Sequence, residues 1–459
     1  MPAGLVSRSL SKVREMVANA TGLGGESPEK LQARVRQQLQ ECAEGIGGEV
    51  STRQRAATLA QTYLSLDDEG RHAFLRMIAI EFGPDPERVA EAHRAYQAAV
   101  GSATQWDAEA QLRAAMRSSR IRILTQFNAI PQGVKFLVDL RADLLRFLRE
   151  DRDLQALDRE LEARLGAWFD VGFLELSRLT WSSPAALLEK IVEYEAVHEI
   201  SSWKDLKNRL DSDRRCYGFF HPRMPMEPLI FVEVALLEDL ADNVQKLLDE
   251  NAPVFDAAKA TTAIFYSISN TQAGLRGVSF GNFLLKRVVD DLKRDFPRLK
   301  TFATLSPIPG LRRWAARNRE RVLDRLTPAD WKRLAETGID GPQSAELDAL
   351  LSGETAWNDD PARTKALREP LMRIAADYLL NEKRDDKPID AVARFHLGNG
   401  ARVERINWLA DTSEKGMAQS WGLMVNYLYD PDRIEDNVEA FARSGTIDAA
   451  SAVRRLAER

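Results

Sequence analysis

Residues 262–306 read TAIFYSISNTQAGLRGVSFGNFLLKRVVDDLKRDFPRLKTFATLS, and their order decides the fold. Residues 262–268 are a β-branched and aromatic run of the kind that packs well on a pleated surface. Gly274, Gly277 and Gly281 follow it. Phe280, Phe283, Leu284, Val288, Leu292 and Phe296 then recur on one helical face. A second β-type run, 301–306, is closed by Pro307 and Pro309. Strand, glycine turn, helix, strand is a βαβ unit, and such a crossover makes its two strands parallel.

Upstream, residues 228–235 (PLIFVEVA) read as a further strand. The first third is different. Ser27-Pro28-Glu29 and Asp85-Pro86-Glu87 are helix starts: a capping side chain, Pro at the first helical position and an acid in the first turn. Phe74, Ile78 and Phe82 keep a helical spacing. Further helices are expected over 107–130 and 134–148, and Arg149-Glu150-Asp151-Arg152-Asp153 is expected as a solvated helix face. Thr327-Pro328 opens another helix, and the tail from about 434 is amphipathic. The expected architecture is an all-α N-terminal domain, 1–165, followed by an α+β domain, 166–459, with a mixed sheet and helical insertions.

The chain has 459 residues, 44% apolar and 29% charged, which fits two globular domains. A net charge of −5 gives no global reason to bind nucleic acid or an anionic membrane. Two cysteines, Cys42 and Cys216, make neither a disulfide scaffold nor a zinc cluster. The expected compartment is the cytoplasm.

The glycine turn, with Arg276, Gly277, Val278, Ser279, Phe280 and Gly281 at its centre, carries the chemistry. Glycine lets the backbone come close to a bulky anion. The N–H groups opening the next helix then face that anion. The spacing is neither GxGxxG nor a Walker A loop. A glycine-rich turn that binds nothing is the plain alternative. The spacing from Arg276 to Leu285 resembles the acetyl-CoA loop of the GNAT acetyltransferases.

Other stretches extend the likeness: His221-Pro-Arg-Met-Pro225, Leu305-Ser306-Pro307-Ile308-Pro309-Gly310, Phe395-His396-Leu397-Gly398-Asn399-Gly400, Arg405-Ile-Asn407-Trp408 and residues 422–429. Together they resemble the malonyl-CoA decarboxylase family over about 130–430. The resemblance implies a helical oligomerisation domain, a GNAT-like catalytic domain, and a homodimer or homotetramer. It implies Ser306 and His396 as the catalytic pair, the 276–281 loop as the CoA site, and Asn399 and Tyr429 beside the acyl pocket. Where some relatives carry a carboxylate, this chain has Ser279, for which only a phosphate contact is expected. His221 is either a packed histidine or a pocket residue. His72, His93 and His198 are expected at the surface.

Decarboxylating malonyl-CoA leaves an enolate on the thioester oxygen, so the substrate is its own electron sink and no metal or organic cofactor is expected. What the chemistry needs is an oriented carboxylate, donors for the enolate, and a proton for carbon. A serine before proline is usually a turn residue, and only the resemblance raises Ser306 above that. An acetyl-CoA-dependent N-acyltransferase shares the glycine loop but leaves Ser306 and His396 without a role. A non-catalytic CoA sensor would bind CoA without turnover.

Overall fold

A computed structural model of the chain describes residues 28–45, 48–278, 283–352 and 357–458. The chain divides into two compact units. The first holds the residues up to Leu174 together with two short excursions, His221–Pro225 and Gln272–Ser279. The second holds Glu175–Phe220, Met226–Thr271 and Phe280–Arg459.

The first unit is helical, with α1 (Pro28–Glu44), α2 (Glu49–Ser65), α3 (Asp68–Glu81), α4 (Pro86–Ala99), α5 (Gln105–Ala115), α6 (Arg120–Asn128), α7 (Gly133–Phe147) and α8 (Gln155–Trp168). The capping signal at Asp85 works as read, while the capping Ser27 lies outside the described residues. Asp85 accepts the Glu87 and Arg88 amides ahead of α4, with Pro86 in its first turn. Phe74, Leu75, Ile78, Phe127, Leu137, Leu144, Leu161 and Phe169 fill the core.

Two expectations are corrected here. The 107–130 helix is two helices, because Ser118 caps the break: its Oγ donates to Phe82 O at 3.0 Å and accepts the Arg120 amide at 3.0 Å. The 149–153 stretch is not a helix face but a turn into a short 3₁₀ segment at Arg152–Leu154. Its Asp151 carboxylate receives His72 Nε2 at 2.9 Å and Arg76 at 3.3 Å. Asp151 is drawn into pairing across the helices; Arg149, Glu150, Arg152 and Asp153 stay exposed, as expected of a solvated stretch.

The second unit carries β1 (Glu175–Leu179), β2 (Arg214–Phe220), β3 (Pro228–Leu237), β4 (Thr262–Asn270), β5 (Thr301–Thr304), β6 (Ser306–Pro307), β7 (Arg402–Asn407) and β8 (Met424–Tyr429). Among the described residues these eight strands form one sheet, in the order β1-β2-β3-β4-β5-β8-β6, with β7 on β8. β4 and β5 are parallel and the other neighbours in this sheet run antiparallel, so the βαβ reading holds. The crossover helix is α11 (Phe283–Asp295), while the expected start at Phe280 lies outside the described residues. The expected 301–306 strand is interrupted at Leu305, whose amide bonds Phe265 O at 3.0 Å.

One face of the sheet packs Ala235, Ile264, Tyr266, Ala303, Leu305 and Met424 into a core cluster. A second cluster joins Cys216 and Phe231 to Leu187, Leu188 and Ile191 of α9 (Ala185–Tyr194) and Leu206 of α10 (Trp203–Arg209). Both cysteines are free and buried. Here too an expectation fails: His198 is buried, not at the surface, and burial pushes its imidazole down to about 4. No described helix is long and apolar enough to cross a membrane.

Candidate active site

Ser306 sits where β5 gives way to β6, pairing with Val425 of β8. A strand places residues two apart on one face, so the Thr304 hydroxyl lies beside it: Ser306 Oγ donates to Thr304 Oγ1 at 2.8 Å. His396 comes from a helix, α12 (Ala391–Gly398), ninety residues further on. Its Nε2 lies 3.1 Å from Ser306 Oγ and its Nδ1 2.8 Å from Tyr429 Oη. With the serine proton on Thr304, one self-consistent assignment has Nε2–H donating to Ser306 and Tyr429 O–H donating to Nδ1. The result is a chain of four side chains: Tyr429, His396, Ser306 and Thr304.

The sequence explains how the pair is held. Asp390 caps α12, accepting the Val392 and Ala393 amides at 3.0 Å each, and its other oxygen takes Tyr378 Oη at 3.3 Å and the Gly310 amide at 3.4 Å. This cap ties the histidine helix to the turn after the serine. Gly310 is required there because a β-carbon would overlap Tyr378 Oη. The imidazole stacks on Tyr427, with centroids 4.6 Å apart and planes at 25°. Asn426, facing the other way, donates to Thr304 O at 2.7 Å and accepts from Asn407 at 2.8 Å, which locks β8 to β5 and β7.

Ser306 is 5% and His396 3% exposed. Burial alone pushes the imidazole down to about 3, so it is neutral at working pH, and burial drives the Tyr429 phenol well above its ordinary value, so it keeps its proton. A neutral, hydrogen-bonded Ser–His pair at a strand end is the kind of centre an enzyme uses to orient a group and move a proton.

Of the expected residues, the structure brings Ser306, His396 and Tyr429 together. Asn399 is the half-buried C-cap of α12. His221 belongs to the first unit, where it packs on Phe169 with centroids 4.9 Å apart. Its Nε2 meets Trp168 O at 3.1 Å and its Nδ1 accepts the Arg223 amide at 3.2 Å, bonds that describe the packed alternative. Arg276 and Gly277 are exposed and Val278 is buried, all in the first unit. Ser279, Phe280 and Gly281 lie outside the described residues. Sequence reasoning missed Thr304 and Tyr427; the i, i+2 spacing of each to Ser306 or Tyr429 on a strand was the available signal.

Two family profiles match the chain: the malonyl-CoA decarboxylase N-terminal domain over residues 82–169 and the malonyl-CoA decarboxylase C-terminal domain over 172–459. The mitochondrial malonyl-CoA decarboxylase of Anser anser anser is 39% identical over 420 residues, covering 87% of this chain and 82% of that protein. Its Rattus norvegicus counterpart is 39% identical over 402 residues, covering 84% and 81%. The solved malonyl-CoA decarboxylase from Rhodopseudomonas palustris superposes with a TM-score of 0.83 at 42% identity, covering 94% of this chain and 100% of that one. The Cupriavidus metallidurans structure gives 0.73 at 44%, covering 93% and 100%. The chain belongs to the malonyl-CoA decarboxylase family.

Proposed function

We infer that this chain decarboxylates malonyl-CoA to acetyl-CoA and CO2. The observation that carries the reading is the 3.1 Å contact between Ser306 Oγ and His396 Nε2, at the two positions the family resemblance selects. The pair holds the malonyl carboxylate so that the breaking C–C bond overlaps the thioester π-system. CO2 leaves, the bonding electrons pass onto the thioester oxygen, and the α-carbon takes one proton through the Ser306–His396 pair. That proton comes from solvent, so one is consumed per turnover. Tyr429 fixes the imidazole from behind through Nδ1. Burial of the pair keeps water from competing for these donors.

The 276–281 loop takes the CoA phosphates in this reading. Support comes from its glycines and from its place between β4 and α11 in a parallel crossover, because the N–H groups that open a helix favour an anion. The reading extends to a cofactor-free reaction, to cytoplasmic residence, and to a homodimer or homotetramer. Light scattering on the purified chain tests the last point, and fractionation tests the compartment; recovery in mitochondria would align the chain with its named vertebrate relatives.

The direct test is incubation with malonyl-CoA in EDTA, without an amine acceptor, following acyl-CoA species by mass. Acetyl-CoA with CO2 is expected. Free CoA with malonate would indicate a thioesterase, and unchanged malonyl-CoA would return the acyltransferase and sensor alternatives.

A further inference from the structure

Arg141 of α7 carries one of the most buried cations in the first unit, with a side chain only 2% exposed. Its guanidinium is held on three sides. Nε donates to Asp158 Oδ1 of α8 at 2.9 Å, and Nη2 lies 3.4 Å from Glu162 Oε2. Nη1 donates to two backbone carbonyls of the glycine loop, Gly274 O at 2.9 Å and Arg276 O at 2.7 Å. The loop lies flat on α7 at this point: a β-carbon on Gly274 would overlap Val138 O, which is why glycine stands there.

The two carbonyl contacts set the polarity of the loop. In a trans peptide, C=O and N–H point in opposite directions. Turning Arg276 O toward Arg141 therefore turns the Gly277 N–H away from the helical core. Gly277 is exposed and has φ +89°, a left-handed conformation that glycine adopts without strain. Burying an arginine costs several kcal/mol unless its hydrogen bonds are satisfied, and replacing a whole buried ion pair by apolar groups of similar volume is often neutral or stabilising. An arginine kept here points to a geometric job.

We propose that Arg141 is a positioning residue for the CoA phosphates: by holding Gly274 O and Arg276 O it keeps the exposed Gly277 amide turned outward, toward the phosphates. The inference rests on the reading of this loop as the phosphate site. Arg141 acts through the loop and not on the substrate itself, because its side chain is only 2% exposed and its Nε and Nη1 donors are taken by Asp158 and the two carbonyls.

The test compares malonyl-CoA with malonyl-pantetheine, which keeps the thioester and lacks every CoA phosphate. Arg141→Met removes the donors at similar volume; Arg141→Lys keeps the charge and reaches one carbonyl. Losing two charge-assisted hydrogen bonds should raise KM for malonyl-CoA on the order of tenfold or more. The kcat should hold within about twofold, since the reacting groups are untouched. The kcat/KM for malonyl-pantetheine should not change, and inhibition by adenosine 3′,5′-bisphosphate should weaken in step with KM. Arg141→Lys should show the same pattern at smaller size, and it carries the test if Arg141→Met does not fold. An equal loss for both substrates, or an unchanged KM for malonyl-CoA in a folded variant, overturns the proposal. A wild-type enzyme that treats both substrates alike would instead refute the loop as the phosphate site.

Discussion

Tyr429→Phe isolates the outer link of the hydrogen-bond chain. The substitution removes one oxygen and leaves the ring, so the edge contact with Phe265, centroids 6.4 Å apart, is retained. What is lost is the 2.8 Å bond to His396 Nδ1. That nitrogen is buried in an imidazole only 3% exposed, and the loss strands it whichever way the proton lies. A stranded buried polar atom costs about 1–3 kcal/mol, which should appear in urea denaturation as a lower midpoint with an unchanged m-value. The imidazole is also freed to tilt off the Tyr427 ring and away from Ser306. If the transition state loses one well-made hydrogen bond's worth of orientation, about 1.4–2.8 kcal/mol, kcat falls about 10- to 100-fold. The assay is acetyl-CoA formation at saturating malonyl-CoA, with KM held within a few-fold because the phosphates bind elsewhere in this account. A Tyr429→Phe enzyme of wild-type kcat and reduced stability would show that Nδ1 is a packing contact and would refute the proposed role of the phenol.

Further outcomes follow from the same geometry. His396 and His198, pushed down to about 3 and about 4 by burial, should stay neutral in ¹³C-labelled histidine NMR spectra to below pH 5; a midpoint near 6.5 for either contradicts the burial. Both folded values lie below the unfolded one, so the stability they carry is present above pH 6.5 and lost as pH falls; at pH 5.5 each loses about 1.4 kcal/mol. Glu233, pushed up to about 8 mainly by burial and also by Glu195, acts in the opposite sense, so His198→Asn against wild type isolates the histidine contribution as the difference in acid sensitivity. Gly310→Ala should destabilise by about 1–3 kcal/mol through overlap with Tyr378, and should lower kcat as well because Tyr378 shares Asp390 with the cap of the His396 helix.

How far the sequence could be read depends on which residues carried the information. β4, α11 and β5 were legible because their apolar runs are uniform and their ends are marked by glycine and proline. The caps at Asp85 and Thr327 were legible because capping is local chemistry, and Thr327 does form a reciprocal capping box with Asp330. β2 was not, since it opens with Arg214 and Arg215. Besides local partners at Asp213 and Ser212, they are covered by groups distant in sequence, Leu247 O for the first and the Phe296 ring, 4.6 Å away, for the second. His198 was misjudged for the same reason: its neighbours along the chain are charged, while its burial is set by groups distant in sequence, among them Arg209, which donates to its carbonyl at 2.9 Å. Ser306 and His396 were found as motifs, but only folding brings them together across ninety residues, and the hydroxyl of Thr304 beneath Ser306 was passed over as part of a strand.

The central claim is that Ser306 and His396 act as one unit in decarboxylation. The measurement that tests it is kcat for malonyl-CoA in Ser306→Ala, His396→Asn and the double variant, each verified as folded by circular dichroism. Each single variant should lose on the order of 10²–10⁴-fold, and the double variant should lose little more than the worse single, because a pair that moves one proton fails when either member is removed. Two folded single variants of near-wild-type turnover, or losses that simply multiply in the double variant, would contradict it.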